Sequence, residues 1–167
     1  DILTEPYWYS VTQDDKNMVL ISSVLVPTVL NNRFLGCAGI DISMAHFQQM
    51  IHKVKSTQNS YAFFISAQGV VIAHPDTSMV GKKFAEVRPD EALGFDIQKL
   101  KAQKQSVAAK YDIGGNEMYF MGKQLFIGQD QEPWLLGIVT PMDDMTAQVN
   151  ANTRFLFFLG LLGLLII

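Results

Sequence analysis

One cysteine is too few for an internal disulfide or for a metal site built on several thiolates, and Cys37 is the only one in these 167 residues. It lies in the apolar run Phe34-Leu35-Gly36-Cys37-Ala38-Gly39-Ile40, where a small buried thiol is expected. Charge is also scarce: 17% of residues are charged, 13 Lys and Arg against 16 Asp and Glu, for a net charge of -3. With no basic excess to neutralise phosphates, nucleic acid is not expected as a partner. A nucleophile elbow of the Gly-x-Ser-x-Gly type is missing, and His46 and His52 lie six apart, off the i, i+4 spacing of a helical metal pair. No catalytic residue, metal or cofactor is therefore expected, and His74-Pro75-Asp76 reads as a turn at a strand end. The chain starts at Asp1 without an initiator Met, a basic leader or a signal peptide, so an internal fragment of a longer protein is expected.

What is present is apolar weight, 49% of the residues, with one extreme concentration. Phe155 to Ile167 contains Phe, Leu, Gly and Ile only. Its thirteen residues would reach about 20 Å as a helix, against a hydrocarbon core of roughly 30 Å. A core helix would show a polar face, so a truncated transmembrane segment is the favoured reading and a buried C-terminal helix the alternative.

Four regions follow along the chain. In residues 1–57, Met18 to Val26 reads as a strand ended by Pro27. Asn31-Asn32 supplies a hairpin turn, and Arg33 to Ile42 is the returning strand, with Gly36 and Gly39 allowing close backbone approach. Ser43 can cap a helix that packs through Met44, Phe47, Ile51 and Val54, leaving Gln48, Gln49, His52 and Lys53 mainly on the wet side. Two strands and a helix bury little alone, so the region is expected to complete a sheet whose earlier strands are missing from this fragment.

Residues 58–141 read as a complete α+β unit covered on one face. Tyr61 to Ser66 and Val70 to His74 form a hairpin around Ala67-Gln68-Gly69. A helix is predicted from about Asp90 to Gln103, with Leu93, Ile97 and Leu100 on one stripe. Strands at Val107 to Ile113 and Glu117 to Ile127 flank Gly114-Gly115, and Trp134 to Val139 is the last strand. Lys82-Lys83 and Lys99, Lys101, Lys104 are solvated faces or contacts with lipid head groups. Residues 142–154 form a juxtamembrane helix, with Thr140 as N-cap, Pro141 as its first residue and Asp143-Asp144 in its first turn. It either runs on into 155–167, the start of the transmembrane helix, or breaks at a polar hinge near Asn150 to Asn152.

Segments spread over nearly the whole chain resemble the double Cache (PAS-like) sensor domains of bacterial transmembrane receptors such as methyl-accepting chemotaxis proteins. They are Leu3-Thr4-Glu5-Pro6-Tyr7, Val26-Pro27, Arg33 through Ser43, Phe64 through Gly69, Ile72-Ala73-His74-Pro75, and Pro133-Trp134 through Thr140-Pro141. The resemblance implies antiparallel PAS-like sheets with flanking helices, the back part of a membrane-distal unit in 1–57 and a membrane-proximal unit in 58–141. It implies a periplasmic or extracellular sensing region on the inner (plasma) membrane, a homodimer, and a small-molecule ligand such as an amino acid or other small polar metabolite. The output module beyond Ile167 is expected to be a chemotaxis signalling module, with a histidine kinase or diguanylate cyclase as the alternative. A surface binding subunit without intracellular output is a third reading.

Amino-acid-binding members of that family carry Tyr-x-Asp after Glu-Pro and a second aspartate in a Gly-x-Asp strand end. The matching positions are Tyr7, Tyr9 and Asp41, so Tyr9 stands where the family has an amine-binding aspartate. Losing one of two negative charges matters to a buried ammonium, which needs charge partners. From the residues alone, Asp41 can bind a cationic group or complement the dipole of the helix that follows. Alternation puts Tyr7 and Tyr9 on one face and Trp8 on the other, where Trp8 is expected in the core.

Overall fold

The structure, a computed structural model, describes residues 2–10, 12, 17–89, 106–127 and 132–147. Among these, two antiparallel sheets are joined by one helix. The outer sheet is built around β3 (Met18–Leu30), whose alternating β-branched sequence suits a long strand. The strand β4 (Arg33–Ser43) pairs with it from Ile21 to Leu30. The other edge of β3 takes β2 (Tyr7–Ser10) beside Met18 to Ile21 and β1 (Ile2–Leu3) beside Val24 and Leu25. Asn31 and Asn32 have φ of 51° and 59°, the paired positive values of a tight hairpin turn that asparagine tolerates.

Pro27 does not end the strand as expected; β3 continues through it to Leu30. Beyond Leu25 only β4 pairs with β3 among the described residues, and a strand paired on one edge can place the missing N–H on its open side. Gly39 bears out the expected close approach, since a Cβ there would lie 2.7 Å from the Val24 carbonyl oxygen. Gly36 does not: nothing would touch its Cβ, and its φ of +152° accompanies a register shift beside Thr28.

From β4 the chain enters α1 (Ala45–Ile51). Ser43 Oγ accepts only a long 3.4 Å bond from the Ala45 amide, and Met44 occupies the cap position. Met44 and Ile51 are buried and Phe47 half-buried, whereas Val54 is exposed because the helix stops at Ile51.

The inner sheet has the order β6-β5-β9-β8-β7, formed by β5 (Tyr61–Ile65), β6 (Val71–Ala73), β7 (Val107–Ile113), β8 (Asn116–Leu125) and β9 (Trp134–Pro141). A short helix α2 (Phe84–Val87) lies between β6 and β7; the helix expected from Asp90 to Gln103 falls outside the described residues. The hairpin at Gly114-Gly115, with φ of 60° and 87°, is as expected.

Contrary to the expectation of one covered face, this sheet is buried on both. Phe63, Ile65, Phe120, Leu135 and Val139 form a core with Met79 and Phe84 on one side. Ala62, Phe64, Ile72 and Trp134 pack on the other against Leu20 of β3 and Met44 and Ile51. The outer region thus supplies the second cover. Full burial of each large side chain contributes about 1.5–3 kcal/mol, which explains why β5 reads Tyr-Ala-Phe-Phe-Ile without polar alternation.

β9 also differs from expectation at its end. Thr140 and Pro141 remain paired with Tyr119 and Met118 of β8, so they close the strand rather than open a helix. A helical segment, α3, follows over residues 142–147; its expected continuation to 154 and the apolar segment 155–167 lie outside the described residues. Among the described residues no helix is long and apolar enough to cross a membrane.

Candidate functional site

The register of the outer sheet gathers the three expected residues on one face. Tyr7 lies opposite Ile21, Tyr9 opposite Val19 and Asp41 opposite Ser23, and odd positions of β3 share a side. Thr4 fixes the approach to β2: its hydroxyl accepts the Ser23 amide at 2.9 Å, its amide donates to the Ser23 carbonyl at 2.9 Å, and its carbonyl accepts the Ser22 hydroxyl at 2.7 Å.

Ser23 joins Tyr7 to Asp41. Its buried hydroxyl donates to Asp41 Oδ1 at 2.6 Å and lies 2.9 Å from the Tyr7 hydroxyl. A serine hydroxyl has one proton. With that proton on Asp41, Tyr7 must be the donor to Ser23, and the chain Tyr7→Ser23→Asp41 is polarised toward the carboxylate. Asp41 Oδ2 has no partner among the described residues and stays exposed to solvent. Tyr9, 48% exposed, is one strand repeat along and outside this chain of bonds. Ser23 was missed from sequence, although two adjacent serines inside the apolar run Met18 to Val26 were a usable signal.

Chemically the face offers one free carboxylate oxygen, fixed in direction, beside two phenols. That suits an ammonium or a hydroxyl donor, with aromatic surface to cover it. Asp41 is the one carboxylate in this cluster, and among the described residues no group of three His, Cys, Asp or Glu could hold a metal.

On the opposite face of the outer sheet, Trp8 is not in the core as expected but 48% exposed. It lies against Gly81, where a Cβ would come within 2.5 Å of its indole nitrogen. It borders an open cleft of about 530 Å³ between the sheets, lined also by Leu20, Met44, Gln48, Ile72 and Val80 and, among the described residues, by no charged side chain. Cys37 is likewise exposed, since no described residue covers that part of β4.

Polar contacts fasten the outer region across this seam. Gln48 does not sit on the wet side as expected; its side chain donates to the His74 carbonyl at 2.6 Å and accepts the His74 amide at 3.0 Å. Ser66 donates to the Glu5 carboxylate, which also accepts the Gln68 amide at 3.2 Å. His74 is buried, and burial holds its imidazole below the ordinary pKa of 6.5. The Asp76 amide donates to Nδ1 at 3.0 Å, which assigns the neutral proton to Nε2. Asp76 accepts the Ser78 amide at 3.0 Å, and the Ser78 bonds hold its carboxyl below the usual range. His74-Pro75-Asp76 therefore performs the turn chemistry expected of it.

Comparison with known proteins fits this geometry. Residues 1–149 match the Cache domain family (dCache_1). Over 88 residues the chain is 32% identical to the methyl-accepting chemotaxis protein PscA of Pseudomonas syringae pv. tomato, covering 53% of this chain and 13% of that protein. It is 29% identical over 107 residues to the rat voltage-dependent calcium channel subunit alpha-2/delta-3, covering 60% and 10% respectively. Among solved structures it superposes on the extracellular domain of the histidine kinase mmHK1S-Z3 with a TM-score of 0.70 at 23% identity, over 90% of this chain and 52% of that one. The ligand-binding domain of the Pseudomonas fluorescens chemoreceptor CtaA, solved with L-serine, gives 0.58 at 22% identity over 85% and 55%. The chain thus spans about half the length of these solved domains and a small part of the curated relatives. Two antiparallel sheets joined through α1, and a family match from end to end of the described residues, lead to one conclusion: the chain belongs to the Cache domain family and is a sensor domain homologous to those of chemotaxis receptors.

Proposed function

We propose that this chain is part of the extracytoplasmic sensing region of a transmembrane chemotaxis receptor, and that Tyr7, Tyr9 and Asp41 line its ligand pocket. The observation that carries the pocket is the polarised chain Tyr7→Ser23→Asp41, which holds one carboxylate oxygen in a fixed direction and, among the described residues, leaves the other free. The ligand is a small polar molecule that presents an ammonium or hydroxyl donor, with an amino acid as the leading class; CtaA, of the same fold, was solved with L-serine and with L-isoleucine. Tyr9 in place of a second carboxylate favours ligands with one cationic group over those with two. Residues 155–167 begin the membrane span, the sensor works as a homodimer, and no reaction is catalysed within it. Binding acts by preferring one arrangement of the sheets over another.

The test is calorimetric titration of the complete ectodomain with a panel of L-amino acids and small amines. Asp41→Ala should weaken any hit about ten- to a hundredfold, as expected for the loss of a charge-assisted hydrogen bond. Unchanged affinity would remove Asp41 from the pocket. A histidine kinase output is the second reading, favoured by the TM-scores of 0.70 and 0.64 to two histidine kinase extracellular domains.

A further inference from the structure

The connector between α1 and β5, residues 52–60, is bonded to α3, far along the chain. Asp144 in the first turn of α3 accepts the Thr57 hydroxyl at 2.8 Å and the Asn59 amide at 2.9 Å on Oδ2, and the Asn59 side-chain amide at 2.9 Å on Oδ1. At the end of β9, four residues before Asp144, Thr140 shares a hydroxyl bond of 2.9 Å with Ser56. The connector itself is stiffened by Ser60, whose hydroxyl accepts the amides of Ser56 and Thr57 at 2.8 Å each and donates to the Thr57 carbonyl.

At its other end the connector continues from α1, and α1 moves with the outer sheet. Ser43 of β4 leads directly into it, the Met44 amide donates to the Leu20 carbonyl at 2.9 Å, and Met44 is 1% exposed. Beside the Glu5 bonds to Ser66 and Gln68, α1 carries a displacement of β3 and β4 along two routes. One runs through Gln48 into the end of β6. The other runs through the connector to α3 without crossing the inner sheet.

We infer that Asp144 is a positioning residue that couples α3 to the outer sheet through the connector, so that the helix leaving the sensor is set by α1 rather than by β9 alone. A first-turn aspartate also complements the helix dipole, but that role needs no partner 85 residues away. Three bonds from two connector residues to one carboxylate do what a dipole contact does not: they fix the helix laterally as well as along its axis. The inference rests on the sensor reading only for what moves the outer sheet, and its test needs no ligand.

Amide exchange by mass spectrometry on the full chain in phospholipid nanodiscs reads the coupling. Asp144→Ala should speed exchange about tenfold in both segments 56–60 and 142–147 and leave β5 and β9 unchanged. Thr57→Val keeps the aspartate at the helix start and removes one connector bond; it should speed exchange in 142–147 in the same direction by a smaller factor. Spin labels at Ile40→Cys and Met145→Cys, in a Cys37→Ser background, should give a distance distribution that broadens with Asp144→Ala, while an Ile40→Cys and Lys82→Cys pair stays unchanged. If Thr57→Val leaves 142–147 unchanged, Asp144 is only a helix-start charge and the inference fails. It fails equally if the Ile40 to Met145 distribution does not respond.

Discussion

The two sheets are written in similar residues and end up differently. The inner sheet hides both faces of its central strands: Phe63, Phe120 and Val139 on one side, Phe64 and Trp134 on the other. The far half of the outer hairpin leaves Val29, Leu30, Phe34, Leu35 and Ile40 between 57% and 66% exposed among the described residues. A β-branched or aromatic residue is an invitation to burial, and only a second layer at the right distance accepts it. The inner sheet has that layer twice, from α2 and its neighbours and from α1 with β3. Among the described residues the outer hairpin has it only near its base, where Leu20 and Ile42 meet the seam.

The contrast is broken most directly by truncating one aromatic in each sheet. Phe63 is fully buried and stacks on Phe84 at 4.9 Å, so Phe63→Ala should cost about 3–5 kcal/mol in urea unfolding. Phe34→Ala, at 62% exposure, should stay within about 0.5 kcal/mol. Equal losses would mean that Phe34 is buried under a second layer, as Phe63 is.

A finer probe is the glycine pair Gly122 and Gly137, which face each other across β8 and β9. A Cβ at Gly137 would come within 2.5 Å of the Phe63 ring and 2.8 Å of Phe120. Gly137→Ala should therefore destabilise by about 1–3 kcal/mol through overpacking. A neutral effect would show that the aromatic stack yields more readily than its geometry suggests.

The smallest expected effect is one of pH. Well above pH 6.5, the ordinary pKa of histidine, His74 is neutral in both folded and unfolded chains. Below it, the unfolded chain takes up a proton that buried His74 resists. Stability should then fall with pH until the folded pKa is reached. His74→Asn keeps an acceptor for the Asp76 amide, as in an Asx turn, and removes the titration. Thermal unfolding from pH 7.5 to 5 should show a smaller decline in that variant, and parallel curves would count against His74 as the source.

How much of the site was legible depends on the distance over which each signal acts. Tyr7 and Asp41 were found through the resemblance, and alternation put Tyr7 and Tyr9 on one face. Ser23 was visible only as a polar interruption in an apolar strand, because its role needs β2 and β4 on either side of β3. The misplacement of Cys37 and Trp8 has one cause: apolar neighbours in sequence say that a residue would gain from burial, not that anything lies over it. Pro27 was misjudged for a related reason, since a proline ends a strand only when the edge it faces is needed for pairing.

By itself the sequence determined what is local. The tight turns at Asn31-Asn32 and Gly114-Gly115 follow from residues that tolerate positive φ, and the apolar runs of β3, β5 and β9 follow from side-chain character. Tertiary structure alone decided which faces were covered, that Gln48 would hold the backbone of His74, and that Asp144 would reach Thr57 and Asn59. Those bonds join residues 26 to 87 positions apart. Hydrophobic periodicity and turn chemistry act over a few residues and carry no information about partners that distant.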